Sequence, residues 1–400
     1  MLNLSIPKHV ETIRAKVLEF VEQEVYPVEN VLYDEERTSA KRKEVMDGLM
    51  RKAKDDGLWA LGHPEEIGGG GLPFMDYVFI NEVVGRSAAA TVALGTHSLQ
   101  DSIMLHRYAN EEWRNKYLRP LVDGEVFPSF GMTEPGVASS DPTQLQTKAV
   151  LDGDEWVING RKWFTSGAGS AAYTTAMVRT EMDAPDHQAF SMIVVPTETP
   201  GYNILRDVKV MGSYEGHYEV DYDNVRVPKD NLLGPRGQGF KIAQDRLGPG
   251  RIFHCMRWLG QAQRAFDLMC NRANNRVAFK KTLGEHQQIQ KFIFDSAAEI
   301  QASRLLTLHA AQKIDQGDEA RVEIGLIKVY GATMLHNAID RAIQVHGALG
   351  VTEDTPLERM YRQARFARIY DGADEVHVQT TSRRILRQYS QGSSFDFGLR

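Results

Sequence analysis

A stretch of about 100 residues without helical periodicity separates two strongly helical parts of this chain, and this alternation limits the folds open to it. In the first part, apolar residues recur every three or four positions, as they do along residues 10–25. Between Phe127 and Val227 this spacing gives way to β-branched and aromatic runs bounded by turns. Beyond Gly234 long helical patterns return. We therefore expect an α+β multidomain protein, with an N-terminal α-helical domain (residues 1–127), a middle antiparallel β domain (128–235) and a C-terminal four-helix bundle (236–400).

The same patterns predict the individual elements. In the N-terminal domain, helices are expected at residues 10–25, 44–58, 77–94 and 113–121. In the middle domain, strands are expected at residues 156–158, 173–178, 190–195 and 218–227, with hairpin-type turns at 152–154 and at Asn159-Gly160. In the bundle, helices are expected at residues 239–274, 286–316, 318–347 and 376–389. Asp318 is the expected N-cap of the third of these.

Composition excludes several classes of protein. A net charge of −6 gives no electrostatic footprint for nucleic acid or an anionic membrane. The sequence has no apolar run of roughly 18 residues and no basic and apolar leader, so no signal, transit or transmembrane segment is expected. Cys255 and Cys270 fall on one predicted helix, which argues against a disulfide framework and for a reducing compartment. We expect a cytoplasmic location if the host is bacterial.

Two further patterns have better structural than functional interpretations. Residues 167–172 fit the dinucleotide pattern G-x-G-x-x-A, but a strand follows them where a nucleotide-binding fold requires a helix, so a tight turn is favoured. Asp371, Asp374, Glu375 and His377 could ligate a metal ion, but their spacing lacks the calcium-loop pattern and no second cluster is evident. We expect no metal. Taken alone, these acidic residues suit the first turn of a helix, whose dipole they complement.

Two segments of the predicted β domain could contact a flat cofactor. Residues 130–141 form a loop rich in small hydroxyls, which could bind a phosphate or a polar ring edge, although a plain turn is the simpler interpretation. Residues 162–167 place large aromatic faces beside hydroxyls, a pattern that serves either a core or stacking on a cofactor.

Together these segments resemble the acyl-CoA dehydrogenase family of flavoproteins, over nearly the whole chain. The matching segments stand in the family's order and at its spacing: 64–71, 132–136, 159–165, 233–240, 276–279 with His286-Gln287, 344–350, and the segment around Asp371. The helical, β, helical order agrees independently with this resemblance.

The resemblance implies non-covalent FAD between the β domain and the bundle. It places the flavin ring among Phe130, Met132, Thr133, Trp163, Phe164 and Thr165. Ser139 or Ser140 matches a contact to the pyrophosphate and substrate. Residues matching contacts to a neighbouring subunit's FAD are Arg276, Phe279 and Gln287. Further cofactor positions are Gln344, Val345, Gly347, Ala348, Ala373 and Glu375. The implied assembly is a homodimer at least, commonly a homotetramer.

The resemblance also implies the reaction, the α,β-dehydrogenation of an acyl-CoA thioester to the trans-2-enoyl-CoA, as in β-oxidation of fatty acids. Asp371 matches the catalytic base, which takes the α-proton while the β-hydride moves to flavin N5, and electrons pass to an electron-transfer flavoprotein. Enolate donors would be the Asp371 N–H and a ribityl hydroxyl of FAD. An apolar pocket would raise the pKa of the base. Positions implied to line the substrate are Ser140, Gly248, Gly250, Arg251 and Gly372.

Departures from the family's usual pattern leave alternatives open. Some members carry the base at the position of Gly250, where glycine cannot serve, so Asp371 is the candidate that the motif offers. Aspartate is shorter than the family's usual glutamate by one methylene, Ala373 and Glu375 replace a threonine and a glutamine, and Lys280 replaces a glycine. These traits resemble the branch of acyl-CoA dehydrogenase family members 10 and 11. Aspartate is also the base of nitroalkane oxidases on this fold, so a flavin oxidase, or a non-catalytic flavin-binding protein, remains an alternative.

Overall fold

The computed structural model describes residues 5–33 and 39–397, except for the side chains at 247–249. Its order is helical, β and helical, as predicted. In the first domain the helix α1 (Lys8–Phe20) continues into a π-helical turn, Val21–Val25, so the helix predicted over 10–25 is confirmed. The helices of this domain are α1 (Lys8–Phe20), α2 (Glu29–Leu32), α3 (Ala40–Asp55), α4 (Phe74–Val84), α5 (Ala88–Ala93), α6 (Leu99–Tyr108), α7 (Glu111–Trp113) and α8 (Arg119–Val122).

The single helix predicted over 77–94 is wrong, because the chain breaks between α4 and α5. A Cβ added at Gly85, where α4 ends, would stand 2.2 Å from the Cα of Arg257 on a later helix. The same crossing is tight from the other side, since a Cβ at Gly260 would stand 1.9 Å from the Glu82 carbonyl oxygen. The break therefore lets two backbones approach where side chains would keep them apart.

The middle domain is an eight-stranded sheet made of β1 (Pro128–Gly131), β2 (Lys148–Asp152), β3 (Glu155–Ser166), β4 (Tyr173–Arg179), β5 (Phe190–Pro196), β6 (Tyr202–Val210), β7 (Ser213–Pro228) and β8 (Leu232–Leu233). The strand order is β6-β7-β3-β2-β4-β5-β8, with β1 beside β4. Most pairs are antiparallel, but β4 runs parallel to β1 and, at one residue pair, to β2. All four predicted strands are present, and each is longer than predicted.

The turn signals of this domain have different outcomes. Residues 152–154 form the expected hairpin, with Asp152 paired to Glu155. Asn159-Gly160 is not a turn, because β3 runs through it with a bulge and the Asn159 side chain accepts from the Asn224 N–H at 2.9 Å. Gly160 has φ +142°, so this glycine does adopt a positive φ, but it does so in a β-bulge and not in the predicted turn. Residues 167–172 form the predicted tight turn.

The C-terminal domain packs long helices against one another, and the bundle prediction is confirmed. One helix, α9 (Gly239–Asn275), runs unbroken past Pro249 and carries both free cysteines, Cys255 and Cys270. Asp318 is not the N-cap predicted for α11, because the helix begins two residues later, after Ala320, whose N–H the Asp318 side chain accepts at 2.8 Å. The helices and strands are α9 (Gly239–Asn275), β9 (Val277–Ala278), β10 (Lys281–Thr282), α10 (Gln287–Asp315), α11 (Arg321–His346), α12 (Leu357–Ala367) and α13 (Asp374–Ser390).

The hydrophobic core joins the domains in two places. One cluster fills the space between the N-terminal helices and the bundle, and a second joins the N-terminal helices to one face of the sheet. A third cluster lies within the sheet itself. The N-terminal helices thus pack against both other domains, and all three domains meet near the start of α9. Within the described ranges, no helix is long and apolar enough to cross a membrane.

Candidate active site

Asp371 lies on the turn between α12 and α13, where the chain takes two left-handed residues in succession. Asp371 has φ +54° and Gly372 has φ +101°. Aspartate is one of the few side chains that tolerates this region, and glycine enters it without steric cost. A Cβ at Gly372 would also stand 2.6 Å from Nε2 of His377, so a larger residue would have to displace the His377 ring. The sharp turn expected around Asp371 is present.

The Asp371 carboxylate is partly open and is held by one direct side-chain contact. Its side chain is 21% exposed, and Oδ2 lies 2.9 Å from Nε2 of His254, on α9. The backbone carbonyl of Asp371 accepts from Arg251 Nε at 3.1 Å and lies 3.2 Å from Nε2 of His377. Within the described residues, nothing accepts a hydrogen bond from the Asp371 N–H. The residue therefore offers an anchored carboxylate and an unused backbone donor.

The charge around Asp371 differs from the expectation of an apolar pocket. Burial raises the pKa of the Asp371 carboxyl, but His254, Arg246 and Arg251 outweigh burial and hold that pKa well below its ordinary value. Three cationic or hydrogen-bonding groups of one helix thus converge on the carboxylate. The predicted upward shift in the pKa of the base is not seen, because its surroundings are polar rather than apolar.

His254 is itself fixed by a second contact. Its Nδ1 lies 2.9 Å from Nη2 of Arg257, one turn further along α9. Burial and the Arg257 charge lower the pKa of His254, against the opposing effect of Asp371. Arg257 packs at the tight crossing of α4 and α9, so its position depends on Gly85.

A buried lysine holds the turn from beneath. The Nζ of Lys328, on α11, donates to the carbonyls of Ala367 at 2.6 Å and Gly372 at 3.1 Å, on either side of Asp371. The Lys328 side chain is fully buried, and burial lowers the pKa of its ammonium group. It lies within cation–π distance of Trp258 and Tyr370, which are joined by a 2.7 Å hydrogen bond.

Arg246 joins the three domains beside the base. Its guanidinium donates to Asp101 of α6 at 3.0 Å and covers the ring of Phe130 in β1, 4.5 Å from the centroid. Its charge also acts on Asp371 of the bundle. Arg246 therefore lies against β1, which leads into the predicted flavin loop, while its charge acts on the base.

That loop is organised around a buried ion pair. Lys162 is fully buried and donates to Glu134 at 2.8 Å and to the Met132 carbonyl at 2.9 Å. Glu134 also accepts the backbone N–H groups of Gln146 at 2.7 Å and Thr147 at 2.9 Å. Burial lowers the pKa of Lys162 to about 8. Burial alone would raise the pKa of Glu134, but Lys162 and the two N–H groups hold it below its ordinary value.

The predicted flavin residues lie on and beside this loop. The Thr133 hydroxyl donates to the Trp163 carbonyl at 2.6 Å, and the Trp163 N–H donates to the Thr133 carbonyl at 3.0 Å, so the two segments are tied together. Ser139 accepts from the Glu134 N–H at 2.9 Å, whereas Ser140 is exposed. Ser140 is therefore the more available of the two serines for a ligand.

The segment at 163–165 has an unusual backbone. Trp163 is half-buried, and Phe164 is exposed and left-handed, with φ +49°. The Thr165 side chain is fully buried, and its hydroxyl has no hydrogen-bond partner among the described residues. A strained residue next to an unpaired buried hydroxyl is a combination that often marks a binding site.

A second group of predicted residues lies far from Asp371 along α9. Arg276 follows the end of α9, roughly 38 Å from Arg251 at the rise of an α-helix. It leads into the β9–β10 hairpin, whose turn residues Phe279 and Lys280 are both left-handed, with φ +51° and +66°. Phe279 is 92% exposed, and Gln287, the first residue of α10, is exposed too. Within one chain the structure does not bring these residues to the base.

The remaining predicted positions lie at helix ends. Gln344, Gly347 and Ala348 are exposed at the end of α11, where Val345 is buried. At the start of α13, Ala373 is half-buried and Glu375 is exposed. The prediction for Gly248 falls at 247–249, outside the described side chains. Gly250 is buried, and a Cβ there would stand 1.9 Å from the amide nitrogen of Gln100.

Sequence reasoning missed His254, Arg257 and Lys328. His254 and Arg257 stand three residues apart on one predicted helix, a spacing that places them on one face, and this signal was available. Nothing local marks Lys328, because its partners are backbone carbonyls about 40 residues later in the chain. Among the described residues, no group of three His, Cys, Asp or Glu side chains is placed to hold a metal ion.

Comparison with known families agrees with this architecture. Models of the N-terminal, middle and C-terminal domains of acyl-CoA dehydrogenase match residues 7–125, 129–225 and 237–386. The chain therefore belongs to the acyl-CoA dehydrogenase family and is an oxidoreductase acting on acyl-CoA. Members of this family are flavoproteins. The resemblance drawn from the sequence is confirmed.

Individual relatives support the same class. The probable acyl-CoA dehydrogenase FadE2 of Mycobacterium tuberculosis is 44% identical over 387 residues, which is 93% of this chain and 94% of that protein. Human acyl-CoA dehydrogenase family member 11 is 39% identical over 398 residues, 95% of this chain but 51% of that protein, so the chain spans about half the length of that relative. Among solved structures, butyryl-CoA dehydrogenase of Megasphaera elsdenii is 26% identical with a TM-score of 0.84, covering 96% of this chain and 100% of that one.

Proposed function

We propose that this protein catalyses the FAD-dependent α,β-dehydrogenation of an acyl-CoA thioester to the trans-2-enoyl-CoA, with Asp371 as the base. The observation that carries this proposal is that Asp371 supplies both a carboxylate and a backbone hydrogen-bond donor. Asp371 presents a carboxylate held from one side by His254 and an N–H for which the described residues provide no acceptor. Removing an α-proton requires a carboxylate or similar base, and the enolate that forms requires a donor at its oxygen.

The described residues fit a flavin beside this base. Met132, Thr133 and Trp163 would hold the ring, and they lie on two segments that are already tied together by hydrogen bonds. Trp163 is half-buried and Phe164 is exposed, so both side chains are accessible to the ring, whereas the Thr165 side chain is fully buried. When bound, FAD supplies the acceptor for the β-hydride, a role that no side chain can fill.

The protein's own groups prepare the substrate. The Asp371 N–H would hold the thioester carbonyl, and Asp371 would take the α-proton on the carboxylate oxygen that His254 does not hold. Arg246 and Arg251 would keep that carboxylate ionised before the reaction. Gly250 does not compete as a base site, since the Gln100 amide occupies the space beside it.

The proposal includes an assembly and an electron acceptor. Arg276, Phe279 and Gln287 project from the bundle far from Asp371 of their own chain, which supports a homodimer or homotetramer in which they reach a neighbouring subunit's FAD. By family resemblance the acceptor is an electron-transfer flavoprotein.

Anaerobic reduction of the purified flavoprotein tests the proposed function. A panel of acyl-CoAs of different chain length should bleach the flavin, with formation of the 2-enoyl-CoA. The proposal fails if no acyl-CoA bleaches the flavin while nitroalkanes drive rapid oxygen uptake, which is the behaviour of a flavin oxidase on this fold.

A further inference from the structure

We propose that His254 is a positioning residue for the base, and that Arg257 fixes its tautomer so that Nε2–H always faces Asp371. The three side chains form a chain of contacts, 2.9 Å from Arg257 Nη2 to His254 Nδ1 and 2.9 Å from His254 Nε2 to Asp371 Oδ2. This inference rests on the proposed function only where it concerns the α-proton.

The tautomer follows from the donors available. Arginine has five N–H donors and no acceptor, so the Nδ1 that meets Arg257 must be the unprotonated nitrogen. A neutral imidazole then carries its proton on Nε2, which points at a carboxylate that can only accept. A doubly protonated ring would set an N–H against an N–H at Arg257. The geometry therefore favours neutral His254 with one defined orientation.

The charged and titratable neighbours of Asp371 and His254 come from several helices. Groups that act on Asp371 or His254 are Arg246, Arg251 and Arg257 of α9, Lys328 of α11, His377 of α13 and Tyr370 of the turn. Of these, the structure places only His254 in side-chain contact with the Asp371 carboxylate. The other charges act from further away or through the backbone, so His254 alone determines which carboxylate oxygen is occupied.

This arrangement has a direct chemical consequence. With Oδ2 engaged by Nε2–H, Oδ1 is the oxygen free to receive a proton. In the proposed reaction the α C–H bond breaks, the proton forms an O–H bond at Oδ1, and the electron pair passes into the thioester enolate. Because the aspartate side chain is short, its carboxylate must be oriented accurately. Losing the His254 contact should therefore lower the rate of α-proton removal by about 10- to 100-fold.

Two variants separate positioning from simple packing. His254→Gln can keep an amide N–H near the place of Nε2 but cannot titrate, whereas His254→Phe keeps the ring volume and loses the donor. The probe is a 3-thiaacyl-CoA, which can lose its α-proton but cannot deliver a hydride, with the long-wavelength charge-transfer band as readout. We expect wild type and His254→Gln to form the band at similar rates over the same pH range, and His254→Phe to lose the band at a higher pH than either, because loss of the donor raises the pKa of Asp371. An acidic limb at the same pH in all three proteins would overturn the proposal.

A second measurement does not depend on activity. Nitrogen-15 spectra of histidine-labelled protein, with His254 assigned from the resonance missing in His254→Gln, report which ring nitrogen carries the proton. We expect a neutral ring protonated at Nε2 at pH 7, and a changed Nε2 signal in Asp371→Asn. A ring protonated at Nδ1, or at both nitrogens, would contradict the inference. If no acyl-CoA reduces the wild-type flavin but these spectra are as expected, the proposed function fails and the positioning of Asp371 stands.

Discussion

Single residues in this protein act through buried charges that are matched by specific donors. Asp371 is held by His254, and Glu134 is held by Lys162 and two backbone N–H groups. Each carboxyl keeps a pKa below its ordinary value despite burial. The first pair prepares a base, and the second shapes the loop on which the flavin is proposed to lie.

Removing the Glu134 charge should destabilise the fold in a pH-dependent way. Glu134→Gln leaves Lys162 buried without its counter-charge, which we expect to cost about 3–5 kcal/mol in the free energy of unfolding at pH 7. A carboxyl whose pKa is lowered by folding contributes stability above its ordinary pKa, and that contribution is lost as the pH falls. The difference between wild type and variant should therefore shrink below about pH 4.5. Urea unfolding across this range measures it.

The control is an exposed pair in the same chain. Asp295→Asn removes the partner of Lys291, a surface i,i+4 contact, and should cost no more than about 0.5 kcal/mol. An equal loss of stability in both variants, or a Glu134→Gln penalty that does not change with pH, would contradict this account of the buried pair.

At this scale the sequence was informative about Asp371 and uninformative about its partner. An Asp-Gly pair after a helix predicts a left-handed turn, because few other residues adopt it. His254 lies 117 positions earlier in the chain, and its contact with Asp371 depends on how α9 packs against the α12–α13 turn. Local patterns carry no signal for such a contact, and the expected pKa shift of the base was wrong for the same reason.

At the scale of elements, the crossing of α4 and α9 places Arg257 in the site. Gly85 and Gly260 allow the two backbones to approach within distances that a Cβ would prevent. The sequence pattern over 77–94 is apolar enough for one helix, so the break at Gly85 was not predicted. Its cause is a close contact with a helix about 170 residues away, and periodicity alone does not show such contacts.

The substitution Gly85→Ala tests this crossing, with Gly48→Ala as its matched control. Gly85→Ala would place a Cβ 2.2 Å from backbone, so we expect a loss of about 2–4 kcal/mol in unfolding free energy, together with a change in the His254 resonances. Gly48→Ala lies within α3, where a Cβ meets nothing within 4 Å, and should stabilise by about 0.5–1 kcal/mol. A neutral Gly85→Ala would show that the backbones can separate without effect.

At the scale of the whole molecule, the order of domains and the family were both evident from the sequence. Changes in periodicity marked the domains, and motifs in the family's order marked the class. The role of the exposed hairpin at Phe279 is a matter of assembly, and a single chain shows only that it projects from the bundle.

Arg276→Ala should weaken the proposed contact between subunits and lower the FAD content of the purified protein. The expected result is partial or complete loss of bound flavin, measured by absorbance, with the oligomeric state measured by light scattering. Arg114→Ala, an exposed arginine of the N-terminal domain, is the control and should retain flavin. Full flavin occupancy in Arg276→Ala would count against a contribution from a neighbouring subunit.

The central claim, that Asp371 is the base, is tested most directly by single-turnover flavin reduction in Asp371→Asn. Asparagine keeps the size of the side chain and the backbone N–H but removes the basic carboxylate. With FAD bound as in wild type, we expect the rate of reduction by an acyl-CoA that bleaches the wild-type flavin to fall by at least about 1,000-fold. Reduction of the Asp371→Asn flavin at the wild-type rate would contradict the claim.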